Sequence, residues 1–142
     1  MKRIIVATDG SPGANRALDM AARIAKVGGC ELTILTIGGN IPGAELRRLA
    51  EADGDLSEAL TEGTTQILER ARKRAQRLGL ASVTVQSEWG EPAETIIDTV
   101  RREKADILVV GRRGRGRLSG LLLGSVSQKL ASLAPCAVLV VP

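Results

Sequence analysis

The sequence predicts an α/β domain, a single doubly wound five-stranded parallel sheet with helices on both faces. Three observations predict it. Short, almost continuously apolar runs rich in β-branched residues recur along the chain, as strands covered on both faces require. Stretches with apolar residues at helical spacing separate these runs, and strands joined by helices of this length imply parallel pairing with right-handed crossovers. The chain has 142 residues, 44% apolar and 25% charged, which fits one compact core and is too short for two comfortable ones.

The elements follow in order. Residues 3–8, RIIVAT, form the first strand. Ser11 caps the first helix and Pro12 fits its first turn; Ala14, Ala17, Leu18, Ala21, Ala22 and Ala25 then recur on one narrow face until Gly28-Gly29 stops it. Residues 31–37, ELTILTI, give the second strand. Residues 38–55 read as a variable loop, with turn residues at both ends and a helix-compatible AELRRLAEA between them. From about Leu56 to Leu78 the positions Leu60, Ile67, Leu68, Ala71, Ala75 and Leu78 make one stripe, and Gly79 ends it. Residues 82–87, SVTVQS, are the third strand; Pro92 opens a helix that turns Ala93, Ile96, Ile97 and Val100 one way; residues 106–110 are the fourth strand. Gly124-Ser125 begins the last helix, which runs to about Leu133, and CAVLVV at 136–141 is the fifth strand.

Composition narrows the function. Nothing near Met1 resembles a signal peptide, and no stretch approaches the roughly 20 apolar residues that cross a bilayer, so the expected location is the cytoplasm, without membrane contact. There a disulfide between Cys30 and Cys136 is not expected; each fits a small buried position. With no histidine, Ser-His and Cys-His nucleophile systems are excluded. No cluster of Cys or carboxylates has the spacing of a protein-built metal site.

The informative stretch is GRRGRGRLSGLLLGS at 111–125, which leaves the apolar run ILVV with five glycines and four arginines. In a doubly wound fold ligands bind beyond the carboxyl ends of the strands, where the strand order reverses, and that rule points at Thr8-Asp9, at Ile37-Gly38 and at this loop. A phosphate cradle needs backbone N–H groups aimed at one point, hence glycines, followed by a helix N-terminus. Gly111, Gly114, Gly124 and Ser125 meet that requirement. No glycine is followed by lysine, so this is not a Walker motif, and Gly114, Gly116 and Gly120 miss the dinucleotide fingerprint by one residue.

The spacing Gly111-x-x-Gly114, nine residues, Gly124-Ser125 resembles that of the universal stress proteins, in their ATP-binding branch. VATDGSPGANRAL at 6–18 and LAPCAVLVVP at 133–142 also look like that family's beginning and end, so the resemblance covers residues 1–142 as one domain, with 38–55 the least similar part. It implies an adenine nucleotide alpha hydrolase-like sheet of strand order 3-2-1-4-5. It also implies that Ala7, Thr8 and Asp9 border the adenosine and that Ile37 meets adenine through backbone atoms. Gly111, Arg113, Gly114, Gly124, Ser125, Val126 and Ser127 would hold ribose and phosphates. Where relatives often have histidine this chain has Arg113, a permanently charged group that either grips phosphate or crowds the pocket. The implied ligand is ATP, with magnesium riding on the triphosphate. The implied role is a nucleotide-dependent stress-response regulator whose hydrolysis, where present, is slow.

Plainer readings stand beside these. Asp9-Gly10-Ser11 is also ordinary turn chemistry, Gly124-Ser125 an ordinary helix cap, and Arg115 and Arg117 a solvated loop. Trp89 reads as a packing residue under the sheet's rim, with stacking on a ligand as the alternative; Glu91, Glu94 and Asp98 read as a solvent-facing helix surface with favourable charges near its N-terminus. An enzyme of a related adenine-nucleotide fold, an ATP hydrolase or nucleotidyl transferase, is the second reading, although VATDGSPG lacks the signatures those enzymes need. Nucleic-acid binding through the arginines ranks third, because single-strand recognition adds aromatic stacking and the chain has one Trp and no Phe or Tyr. The last strand, apolar throughout and at a sheet edge, is expected to pair with its copy in a homodimer.

Overall fold

The structure, a computed structural model, describes residues 2–39, 48, 51, 54–112 and 123–142. Five parallel strands, β1 (Arg3–Ala7), β2 (Glu31–Ile37), β3 (Thr84–Glu88), β4 (Ile107–Gly111) and β5 (Ala137–Val141), lie in the order β3-β2-β1-β4-β5. Helices α1 (Pro12–Gly28) and α2 (Gly54–Arg77) cover one face; α3 (Pro92–Glu103) and α4 (Ser125–Leu133) cover the other. The expected class, strand order and two-faced cover are all present.

Side-chain alternation along the strands divides the core in two. Ile4, Val6, Leu32, Ile34 and Val109 point toward α1 and α2, while Ile5, Leu35, Leu108 and Val110 point toward α3 and α4. Every strand of the middle three contributes to both clusters, which is why their sequences read as unbroken apolar runs. α1 meets the sheet through Ala14, Ala17, Ala21, Ala22 and Ala25, all 5% exposed or less, and these small side chains let its axis lie close. Its start is as the sequence indicates: the Ser11 hydroxyl accepts the Ala14 N–H at 3.2 Å, with Pro12 in the first turn. It ends where Gly29 turns left-handed at φ 64°, a conformation that any side chain would strain.

Several boundaries differ from the sequence reading. β1 stops at Ala7, although the Thr8 N–H still donates to the Leu35 carbonyl at 2.9 Å. β3 lies at 84–88 instead of 82–87, because its register is fixed by β2, which pairs Thr33 with Thr84 and Ile37 with Glu88. Arg48 and Glu51 have helical backbone, and the remainder of 40–53 lies outside the described residues. Cys136 precedes β5 instead of opening it. Cys30 and Cys136 are half-buried on opposite faces of the sheet, so they do not meet; burial pushes the Cys136 thiol up.

Two polar contacts brace this frame. Asp106 Oδ2 accepts the N–H groups of Lys2 and Arg3 at 2.8 and 2.9 Å, fastening the start of β1 to the turn before β4. Arg74 of α2 forks onto Asp19 of α1, with Nε–Oδ1 at 2.6 Å and Nη2–Oδ2 at 2.9 Å. The hydrogen bond from Arg74 holds the Asp19 carboxyl below its usual range.

Because the folded-state value of Asp19 is depressed, its stabilisation is complete above the ordinary carboxylate range and is lost as pH falls through the folded value. Both side chains keep contact with water, so the pair contributes on the order of 1 kcal/mol at pH 7. Urea unfolding of the natural chain and Asp19→Asn should therefore differ at pH 7, begin to approach one another below about pH 4, and converge only once pH falls below the depressed folded value. A difference that does not change with pH would show that the carboxylate charge contributes nothing there.

Candidate functional site

The carboxyl ends of β1, β2 and β4 converge where the strand order reverses, with β1 between the other two. The turn after β1 is tightly built. The Thr8 hydroxyl accepts the Gly10 N–H at 3.1 Å, the Thr8 carbonyl accepts the buried Thr36 hydroxyl at 2.7 Å, and Asp9 Oδ1 accepts the Ser11 N–H at 2.9 Å. Gly10 has φ 80°, which lets the chain turn directly into α1. Thr8 is buried, and Ala7 and Asp9 are half-buried beside it. The turn-forming reading of Asp9 is thus realised, and it holds the carboxylate at the mouth of the crevice.

The end of β4 is pressed against the start of α1. Gly111 occupies a position facing α1, and an added Cβ there would lie 3.0 Å from both the carbonyl carbon and oxygen of Gly13. Backbone atoms have little room to retreat, so glycine is required for the approach. Beyond Gly111, the Arg112 N–H donates to the Val141 carbonyl at 2.7 Å, and the Arg112 carbonyl accepts the Gly124 N–H at 2.9 Å. The chain therefore leaves for residues 113–123 and returns at the same place. This bond unites the two halves of the glycine pattern, Gly111 and Gly124-Ser125. Arg113 and Gly114, with Arg115 and Arg117, lie outside the described residues.

From Gly124 the chain enters α4. The Ser127 hydroxyl, buried, donates to the Gly111 carbonyl at 2.8 Å and locks the first turn of α4 onto the end of β4. Val126 is half-buried and packs into the α3/α4 cluster, while Ser125 is exposed. Gly124 is the N-cap, with extended backbone, and provides no side-chain cap. The first-turn N–H groups of Ser125, Val126 and Ser127 precede the first intrahelical donor, the Gln128 N–H bonded to the Gly124 carbonyl, and aim outward along the axis, adding their partial positive charge at the crevice. The other two helices whose N-caps are described are closed differently. Ser11 caps α1, and Glu91 caps α3 by accepting the Ala93 and Glu94 N–H groups at 3.2 and 2.7 Å, which holds its carboxyl below the usual range. The favourable charge expected near this helix N-terminus is present, and Glu91 goes further than the expected surface position, since it is the cap itself; an acid directly before Pro92 is the signal that pointed to it.

Ile37, half-buried, ends β2 on the α3/α4 side. Past it the β2–β3 ladder continues for another step: the Gly38 N–H donates to the Glu88 carbonyl and the Gly90 N–H to the Gly39 carbonyl, both at 2.8 Å. Sequence reasoning missed that Gly38 makes room for the Trp89 ring; the glycine pair 38–39 and Gly90 next to the tryptophan carried the hint. Among the described residues no group of three Cys, Asp or Glu side chains could hold a metal ion, and no helix is long and apolar enough to cross a membrane.

The family profile described as the universal stress protein family matches residues 1–142. A universal stress protein of Mycobacterium tuberculosis is 36% identical over 143 residues, covering 99% of this chain and 95% of that protein. Among solved structures, a universal stress protein in complex with cAMP superposes with a TM-score of 0.78 at 31% identity, covering 99% of this chain and 97% of that one. The fold is also that of the universal stress protein UspA from Lactobacillus plantarum, with a TM-score of 0.83 at 22% identity and coverage of 99% and 97%.

The junction of β4 with α1 and α4 generates an ordered pair of expectations. Ser127→Ala removes one buried hydrogen bond and should lower stability in urea by about 1 kcal/mol. Gly111→Ala forces a Cβ against the Gly13 backbone and should lower it further, by about 1–3 kcal/mol. The reverse order would mean that the β4–α1 approach has slack which the contact at 3.0 Å does not indicate.

Proposed function

The chain belongs to the universal stress protein family, and from that premise we propose that it binds an adenine nucleotide at the carboxyl ends of β1, β2 and β4 and acts in the cytoplasm as a nucleotide-dependent regulator, with residues 1–142 as one universal stress protein domain. The observation that carries the reading is the α4 N-terminus, which lacks a side-chain cap and is tied to the end of β4 by the Gly124–Arg112 hydrogen bond. A phosphate group fits there, since outward N–H groups and the helix dipole both favour an anion. The complex of a 31% identical relative with cAMP supports the same ligand class.

In this reading Ser125, Val126 and Ser127 receive phosphate through backbone N–H groups, and Gly124 lets it approach. Arg113 and Gly114 add charge and N–H groups from the loop. The turn at Ala7, Thr8 and Asp9 flanks the ribose, and the backbone at Ile37 meets the base. ATP is the ligand we favour, with Mg2+ carried on its phosphates. With no histidine anywhere in the chain, the usual general base is missing, and the proposed activity is binding with at most slow hydrolysis.

Calorimetric titration with ATP should give saturable heat at micromolar to low-millimolar strength, the range where about 4–8 kcal/mol of binding free energy is recorded. Gly124→Asp is the decisive variant. Aspartate is a favourable N-cap and suits the extended backbone at that position (φ −72°, ψ 167°), so the variant should fold at least as stably. Its carboxylate would take up the very N–H groups proposed for phosphate, and ATP binding should be lost. Unchanged affinity in the folded variant would move the phosphate site elsewhere.

The reading includes a homodimer. β5 pairs with β4 on one side and is the last strand of the sheet; Val138, Leu139 and Val140 are only half-buried. A two-fold axis along this edge would pair both copies at once, backbone to backbone. Val138→Lys or Val140→Lys would place charge in that seam. Sedimentation at tens of micromolar should give a dimer for the natural chain and a monomer for at least one lysine variant. A natural monomer removes the dimer, and two dimeric variants relocate its interface.

A further inference from the structure

Trp89 is the one aromatic side chain in the sequence. It is half-buried and follows β3 at the carboxyl end of the sheet. Its backbone sits between two hydrogen-bonded steps of the extended β2–β3 ladder, at Glu88 and Gly90, so the ring springs from a fixed base. The indole reaches sideways across the sheet. An added Cβ on Gly38 would lie 2.6–2.7 Å from Cη2, Cζ2 and Cζ3, the far end of the ring, which therefore rests on the neighbouring strand's exit rather than on its own. Gly38 is the residue after Ile37, and β2 adjoins β1, the strand at which the order reverses.

These positions set a span. Parallel strands lie about 4.8 Å apart, so the carboxyl ends of β4 and β2, with β1 between them, are two strand spacings, about 10 Å, apart. A nucleotide with its phosphate at α4 and its sugar crossing β1 would bring its base toward the end of β2. We infer that Trp89 is the base-side wall of the site, an aromatic surface against which a purine packs, and that it sets the preference for a nucleotide over a bare phosphate chain. The inference rests on the nucleotide reading above. Aromatic surface suits this task because an indole offers a polarised flat face to a heterocycle, while Gly38 gives up its side chain so that the ring can lie over the strand end.

The test uses the full chain with two probes, ATP and inorganic tripolyphosphate, followed by calorimetry and by tryptophan emission, which here reports one ring. ATP should change the emission, and tripolyphosphate should bind without changing it. Trp89→Leu should raise the Kd for ATP about tenfold, the loss of one base–aromatic stack, and leave that for tripolyphosphate unaltered. Gly38→Ala displaces the ring without deleting it; it should shift the emission of the protein alone and weaken ATP in the same direction, which keeps the idea testable if Trp89→Leu fails to fold. ATP heat without an emission change, or full ATP affinity in a folded Trp89→Leu, removes Trp89 from the site and leaves the nucleotide reading standing. Equal losses for both probes assign the ring to folding. No ATP heat in the natural chain overturns both readings together.

Discussion

The parallel pairing of β1 with β4 is the joint on which the molecule depends. It joins segments far apart in sequence, setting Ile4 opposite Ile107 and Val6 opposite Val109, and it is the place where the order of strands changes direction. Asp106 secures it at the amino end through the N–H groups of Lys2 and Arg3. At the carboxyl end the two strands must send their chains to opposite sides, β1 into α1 on one face and β4 toward α4 on the other. A crevice at that point is a consequence of topology. What this sequence adds is a set of small residues that make close contacts at its base: Gly111 against Gly13, Ser127 on the Gly111 carbonyl, Thr36 on the Thr8 carbonyl.

Three helices have described N-caps, each following a strand at the carboxyl end of the sheet, and they differ in what occupies their N-termini. The serine at α1 and the glutamate at α3 supply oxygen acceptors from the chain itself. The α3 cap even brings its own negative charge, and the Glu94 and Ala93 N–H groups hold the Glu91 carboxyl below its usual range. At α4 a glycine stands in the same place. The same physics that stabilises an internal carboxylate at α3 is available for an external anion at α4. The hydroxyl that could have capped α4 from Ser127 is turned back onto β4, where it fixes the helix in position.

Much of this was legible in the sequence because it depended on local pattern. The apolar runs gave the strands, the alanine face gave α1, and the Gly111…Gly124-Ser125 spacing identified two segments that the Arg112–Gly124 hydrogen bond does bring together. What escaped depended on contacts between segments. The limits of β3 answer to the length of β2, and SVTVQS contains nothing that reports its partner. Glu91 reads as one of three acids along a helix until the backbone of α3 turns Ala93 and Glu94 toward it. Gly38 reads as a turn glycine; only the indole lying on it explains why a side chain is excluded. Arg113 and Gly114 fall outside the described residues, so one of the pattern's three glycines stands as it was read from sequence.

The two edges of the sheet complete the physical picture by their contrast. An edge strand exposes a row of backbone groups, and soluble proteins commonly blunt such edges with polar or charged side chains. β3 is treated in that way: Thr84 and Ser87 are exposed, the Gln86 amide donates to Glu88, and Arg102 of α3 reaches the same carboxylate at 2.9 Å. These groups hold water and charge along the rim. β5, at the other edge, reads AVLVV and carries no charged or polar side chain. Both strands have one paired side, so backbone pairing alone does not distinguish them. Side-chain chemistry does. A second strand approaching β3 would have to desolvate the Glu88–Arg102 pair, while one approaching β5 would remove only apolar surface from water, a gain of about 25 cal/mol per Å². The chain has therefore protected one edge and left the other suited to association, and the proposed pairing of two copies follows the edge whose burial carries no electrostatic penalty.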